Sequence, residues 1–220
     1  MNIEQNIRDL EQRVAKACQR AGRSPGEVTV VAVTKTIEVP DIEAVFNAGI
    51  RDFGESRVQE AKPKIELLES LKPEVTWHMV GHLQTNKAKT AAQIFDIIHS
   101  VDSLRLAEAL NNSSPRRLPV LIQVNVSGET TKGGFLLPED DEAIKQVGNL
   151  PNLEIQGLMT IAPLVSDPEE VRPIFRKLRE LRDALGLRHL SMGMSDDFEV
   201  AIEEGATIVR IGRAIFGERS

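Results

Sequence analysis

Ile3, Ile7, Leu10, Val14 and Ala17 recur at helical spacing with charged residues between them, so the chain opens with an amphipathic helix ending near Gly22. The run VTVVAV at 28–33 follows, apolar and β-branched, between Pro25-Gly26 and Lys35. It reads as a strand buried on both faces. From there the pattern alternates: a helix over 40–48 stopped by Gly49, a short strand at 51–54, a helix over 58–71 and a strand TWHMVGH at 76–82. Next come a helix over 86–95, a strand IIHSV at 97–101, a helix over 103–110 and a strand PVLIQVNV at 119–126. A helix over 138–147 and a strand IQGLMTI at 155–161 lead to a long helix opening at Asp167-Pro168, with Val171, Ile174, Phe175, Leu178, Leu181 and Leu185 turned inward. The strand LSMGM at 190–194, a helix over 197–204 stopped by Gly205, and the strand TIVRIG at 207–212 complete the series.

Eight apolar strands alternating with helices, without a linker or a shift of composition, predict an α/β fold: a single (β/α)8 TIM-type barrel with an extra N-terminal helix, one domain over 1–220. An open doubly wound sheet is the alternative that the same pattern allows.

The 220 residues are 41% hydrophobic and 27% charged, the balance of an ordinary globular chain. A net charge of -6 opposes nucleic acid and anionic membrane surfaces. The basic series Arg176, Lys177, Arg179, Arg182 is interleaved with Glu180 and Asp183 and reads as a solvated helix face. Cys18 is the single cysteine, which excludes an internal disulfide and fits a reducing compartment. With neither a leader pattern at the start nor a membrane-length apolar run, a cytoplasmic protein is expected.

Barrels of this type carry their chemistry at the carboxyl ends of the strands. Lys35 comes directly after the first strand, where desolvation at the mouth of an apolar barrel would lower its pKa and free its amine. Glu55 and Ser56 end the second strand and could face it. Ser195 follows the seventh strand, placed to cap the next helix. Gly212 follows the eighth, where backbone can approach a ligand, and these two loops are the usual phosphate site of barrels. Arg210 lies inside the eighth strand, and a guanidinium fixed there needs an acceptor such as a phosphate, a carboxylate or a ring nitrogen. Together these residues describe a pocket for a phosphorylated carbonyl compound. His78 and His82 are poorly spaced for a metal on a strand, and read as hydrogen-bonded residues of the barrel rim. Lys132 falls in a glycine-rich loop and reads as part of a turn.

AVTKT, FGESRVQE, WHMVGHLQTNK, VNVSGETTKGG, GLMTI, LSMGMSDD and VRIGRAIFG occur in this order over nearly the whole chain. The set resembles the pyridoxal phosphate homeostasis protein family (YggS/PROSC), whose barrel is of the alanine racemase N-terminal type. The resemblance implies pyridoxal 5′-phosphate (PLP) held as a Schiff base on Lys35, Arg210 facing the pyridine nitrogen, and Ser195, Gly212 and Arg213 around the phosphate. It places the second-strand segment along the other side of the ring. Ser56-Arg57 stand where the family commonly has Asn-Tyr, so Ser56 offers one hydroxyl in place of an amide's paired donor and acceptor.

An arginine beside the pyridine nitrogen keeps that nitrogen unprotonated and weakens the ring as an electron sink. Racemases with such an arginine use a tyrosine of a second domain as the opposite base; this chain has no tyrosine and eight residues after Gly212. The expectation is a monomeric holder that buffers PLP or delivers it to PLP-dependent apoenzymes, without turnover. A PLP-dependent racemase or related enzyme, and a Schiff-base aldolase acting on a sugar phosphate, are the alternatives.

Overall fold

The computed structural model describes residues 2–129, 133–136 and 140–218. Eight parallel strands close on themselves in sequence order, from β1 (Thr29–Val33) through β2 (Asp52–Glu55), β3 (Thr76–Met79), β4 (Ile97–Val101), β5 (Leu118–Gln123), β6 (Leu153–Met159) and β7 (His189–Ser191) to β8 (Ile208–Ile211). β8 pairs back with β1 in the register Val31↔Arg210, so the barrel predicted from the strand rhythm is closed and the open sheet is excluded.

Outside the strands lie α1 (Ile3–Arg20), α2 (Val39–Asn47), α3 (Val58–Leu67), α4 (Ala88–Ile94), α5 (Leu104–Ser113), α6 (Asp141–Gly148), α7 (Arg172–Ala184), α8 (Phe198–Glu203) and α9 (Arg213–Phe216). Their apolar stripes and the outward-facing strand residues form one large core, in which Phe53, Phe95, Phe175 and Phe198 are fully buried. Each such side chain contributes about 1.5–3 kcal/mol by leaving water. A second, smaller apolar cluster fills the barrel interior: Val31, Val80, Ile97, Leu121, Met159 and Ile208.

α1 docks outside the ring on α2, α8 and α9. Its stripe Ile7, Leu10, Val14, Ala17 and Cys18 is buried. Asn6 Nδ2 donates to Ile215 O at 2.8 Å, and Arg23, just beyond the helix, donates from Nη1 to Ile202 O at 2.8 Å and Ala206 O at 2.9 Å.

The structure shortens several predicted elements. The third, fifth and seventh strands stop at Met79, Gln123 and Ser191, well before the ends of their apolar runs, because the chain there turns out of the ladder to build the barrel mouth. The helix expected over 58–71 ends at Leu67 and continues as a 3₁₀ turn over Glu69–Leu71 ahead of Pro73, which disfavours further helix. The long helix opens as a 3₁₀ turn over Pro168–Val171 and buries Val171, Phe175 and Leu178, while Leu185, past its end, is exposed. The expected helix start at Pro138 lies outside the described residues, as does Lys132. α9, four residues long, was not foreshadowed by the hydrophobic pattern.

The basic face of α7 is not simply solvated. Arg172, Arg176 and Arg179 converge on the buried Glu204 at 3.3, 2.9 and 3.1 Å, binding α7 to the end of α8. Three guanidinium partners outweigh the cost of burial and hold the Glu204 carboxyl below its ordinary range.

Candidate functional site

At the carboxyl end of the barrel a cavity of about 540 Å³ is lined by Lys35, Ser56, Ser195, Arg210, Gly212 and Arg213. These are the six residues singled out from sequence, brought together from the ends of β1, β2, β7 and β8. Val33, Val80, Ile161 and Met194 supply apolar wall. The volume lies within the range of about 300–1,000 Å³ typical of small-molecule sites.

Lys35 follows the buried Thr34 and precedes Thr36, whose φ of +62° is the one positive value among the described non-glycine residues. That conformation is strained for a β-branched residue and persists only where neighbours enforce it. Here the Glu60 carboxylate accepts the Thr36 N–H. Lys64 Nζ ties the rest together, donating to Thr34 O at 2.7 Å and to Glu55 and Glu60 at 3.0 Å each. Thr34 Oγ1 donates to Glu55 Oε1 at 2.7 Å. A clamp reaching in from α3 therefore sets the backbone that carries Lys35.

Two expectations are corrected at this point. Glu55 is fully buried under the Lys35 loop and bonded to Thr34 and Lys64, so it serves the clamp and does not line the cavity. Burial pushes its carboxyl up, against the opposing pull of Thr34 and Lys64. Burial also works upward on Glu60, but the Thr36 N–H and Lys64 outweigh it and hold that carboxyl below its ordinary range. Lys35 itself is exposed, so the desolvation expected of its amine is not present; the loop projects it into an open mouth.

Ser195 was expected to cap the helix after β7. It does not: α8 starts at Phe198, and Asp197 accepts the Met194 N–H at 2.6 Å. The Ser195 hydroxyl crosses instead to the segment after β8, where it accepts the Ala214 N–H at 3.2 Å. Arg213 pairs with Asp196, linking the same two segments at the cavity edge. The loops after the seventh and eighth strands thus meet as one wall. Gly193, with φ +92°, lets the loop after β7 lie close against α8, because a Cβ there would stand 2.6 Å from Ala201 Cβ. On the opposite wall a Cβ on Gly81 would stand 2.4 Å from Ser56 O, so only glycine lets these two loops touch.

Arg210 is 5% exposed. Its Nη1 donates to Ser191 Oγ at 2.6 Å and its Nη2 to Thr160 O at 2.8 Å. Its Nε–H has no protein acceptor among the described residues, and the side chain lines the cavity. Burial lowers its pKa to about 10, with Asp197 acting in the opposite sense.

His78 and His82 separate. β3 ends between them, His78 is buried inside the barrel, and His82 stands exposed at the mouth beside Asp102 at 3.1 Å. The rim position expected of both is therefore correct for His82 alone. His78 Nδ1 contacts His99 Nε2 at 2.9 Å, and His78 Nε2 contacts Asp52 Oδ1 at 2.9 Å. His99 Nδ1 contacts Ser191 Oγ at 2.8 Å. His99, Asp52 and Ser191 were not singled out from sequence. The available signal was slight: His99 interrupts the apolar run IIHSV, whereas Asp52 and Ser191 lie in short strands of mixed polarity. Among the described residues no group of three histidine, cysteine, aspartate or glutamate side chains could hold a metal.

A closed parallel barrel with a lysine after its first strand, a buried guanidinium in its eighth, and joined loops after strands seven and eight defines a class: barrels with a small-molecule cavity at the carboxyl ends of their strands. The alanine racemase N-terminal domain model matches residues 2–220. The pyridoxal phosphate homeostasis protein of Aquifex aeolicus is 46% identical over 228 residues, covering 100% of this chain and 99% of that protein. The chain belongs to the alanine racemase N-terminal domain family and, within it, to the pyridoxal phosphate homeostasis proteins. Among solved structures, a protein of unknown function from Bifidobacterium adolescentis superposes with a TM-score of 0.90 at 38% identity, covering 97% of this chain and 94% of that one. PipY of Synechococcus elongatus, solved with PLP bound, gives 0.86 at 36% identity, covering 98% of this chain and 100% of PipY.

Proposed function

We propose that this protein binds PLP at the mouth of its barrel through a Schiff base on Lys35, and serves PLP homeostasis by holding and releasing the cofactor. The observation that carries the reading is the convergence of Lys35, Ser56, Ser195, Arg210, Gly212 and Arg213 on one cavity of about 540 Å³. The names of the relatives agree with it.

The residues present fit the group. The Nε–H of Arg210 has no acceptor among the described residues and belongs to a side chain that lines the cavity, where an unprotonated pyridine nitrogen would accept it. Ser195, Gly212 and Arg213 stand at the joined wall and would hold the phosphate, and Ser56 would border the ring from the second-strand side. When bound, the cofactor would supply an aldehyde group, with which the Lys35 amine would form the Schiff base by loss of water. Val33, Val80, Ile161 and Met194 would give that bond an apolar wall.

Holding without turnover is the finer part of the proposal. Two-base racemisation needs an acid–base group besides the lysine. The cavity lining contains no histidine, cysteine or tyrosine among the described residues, and its one carboxylate, Asp196, is engaged by Arg213. A donor at the pyridine nitrogen that does not give up its proton further weakens carbanion chemistry. We propose in addition a monomer working in the cytoplasm, with PLP-dependent apoenzymes as transient recipients. No helix of the described residues is long and apolar enough to cross a membrane.

Borohydride reduction followed by peptide mass spectrometry tests the reading. A phosphopyridoxyl group on Lys35 in a yellow protein is expected; a colourless protein that cannot be loaded overturns it. Measurable racemisation of an amino acid by loaded wild type, abolished in Lys35→Ala, would overturn the non-catalytic part alone.

A further inference from the structure

Inside the barrel, side chains from five strands form an unbroken line of polar contacts. It runs from Asp52 at the start of β2 through His78 of β3, His99 of β4 and Ser191 of β7 to Arg210 of β8, with steps of 2.9, 2.9, 2.8 and 2.6 Å. His78, His99, Ser191 and Arg210 are all buried. The Asp52 side chain, 28% exposed, reaches solvent at the end of the barrel away from the cavity. Neither the cavity wall nor the Lys35 clamp includes the four residues behind Arg210.

The chemistry of the two ends fixes the direction of every bond between them. A guanidinium only donates, and an ionised carboxylate only accepts. His78 therefore donates from Nε2 to Asp52, which leaves its Nδ1 to accept from Nε2–H of His99. The Nδ1 of His99 then accepts the Ser191 hydroxyl proton, and the Ser191 oxygen accepts from Arg210. With both imidazoles neutral, four protons serve four contacts and no relay atom is left over. An added proton would place two donors in one contact and force the Ser191 hydroxyl to turn away. His99 is accordingly held neutral: burial first, then the charges of His78, Arg210 and His189, keep its pKa well below the ordinary value.

We propose that Asp52, His78, His99 and Ser191 form a polarised relay of positioning residues that hold Arg210 charged and aim its free Nε–H at the ligand's ring nitrogen. Hydrogen bonds aligned head to tail strengthen one another in a medium of low dielectric. Ser191, donating to His99, becomes a better acceptor for Arg210, and the chain ends on an anion. This support opposes the burial that disfavours the guanidinium charge; Asp197 is the other group that does so. The proposal rests on PLP as the occupant of the cavity, but its first test does not.

In the cofactor-free protein, ¹⁵N-detected imidazole spectra at neutral pH should show His78 and His99 as neutral Nε2–H tautomers. An Nδ1–H tautomer or an imidazolium at either position overturns the relay, whatever happens to PLP. In the loaded protein, His99→Leu keeps the volume but breaks the line, whereas His99→Gln presents one acceptor and one donor in its place. His99→Leu should weaken PLP binding by about tenfold and shift the pH midpoint of the cofactor's visible band. His99→Gln should stay near wild type in both. If His99→Leu does not fold, Ser191→Ala is expected to give the same two changes. Equal losses in the Leu and Gln variants, or unchanged affinity and titration in His99→Leu and Ser191→Ala, overturn the proposal. A wild type that takes up no PLP defeats the cofactor reading instead, and the tautomers still decide the relay.

Discussion

The layer of side chains outside the strands and the stack inside them are built from different chemistry. Outside, one continuous apolar core joins strands to helices, with four fully buried phenylalanines. Inside, a cluster of five aliphatic residues and Met159 shares the space with a line of hydrogen-bonded polar groups. The outer layer can tolerate exchange of one apolar residue for another of like volume. The inner line cannot lose a single member without leaving a buried polar neighbour short of a partner. Stability is thus concentrated in the layer that never meets ligand, and recognition in the one that contributes least apolar area.

The largest effect should come from the inner end of the molecule. Lys35→Ala should abolish borohydride-stable labelling altogether while leaving the urea midpoint close to wild type, since Lys35 is exposed. A fall in stability comparable to that of a core variant would show the two regions to be less separate than described. Next, Phe175→Ala, a substitution at a fully buried position of the outer layer, should cost about 3–5 kcal/mol in urea unfolding. Protein that remains folded should still be labelled on Lys35, and loss of labelling in that fraction would break the comparison from the other side.

A smaller effect is expected from pH. His99 stays neutral in the fold while the unfolded chain takes up a proton, so stability should fall as pH drops below 6.5 and be level above it. His99→Gln should flatten that slope between pH 5 and 7, read by urea midpoints. A residual slope of the same sign remains from His189, half-buried and also lowered, first by burial and then by Arg188 and Arg182. The least effect belongs to the surface: Lys62→Ala removes an exposed ion pair with Glu66 at 3.9 Å and should change stability by no more than about 0.5 kcal/mol.

The same division decides what could be read from sequence. The outer layer announces itself locally: IIHSV at 97–101 coincides with β4 to the residue, and the α1 stripe follows from its spacing alone. Lys35, Arg210 and Gly212 were also legible, because a barrel exposes its strand ends and these residues sit there. Partners were not. Ser195 was placed at the right wall but assigned to the helix after it, whereas its contact, Ala214, is 19 residues on. The contact from His99 to Ser191 spans 92 positions and that from His78 to His99 spans 21. Such pairs depend on strand register and barrel closure, which hydrophobic periodicity does not encode. The strand tails past Met79, Gln123 and Ser191 misled for a related reason: Val80 and Met194 line the mouth, while Val124 and Met192 pack in the outer core beyond the ends of their strands.

The docking of α1 has a consequence for the order in which the chain matures. Asn6 and Arg23 find their carbonyl partners at Ile215, Ile202 and Ala206, residues made 209, 179 and 183 positions later. Until then the stripe of Ile7, Leu10, Val14 and Cys18 has no final resting place, and β1 lacks its β8 neighbour. The first helix and the last strand therefore complete the ring together. A ribosome paused before residue 200 holds a chain with an open sheet edge and an uncovered apolar helix, the two features that recruit chaperones or invite aggregation. Long-range closure of this kind also slows folding relative to proteins built from local contacts.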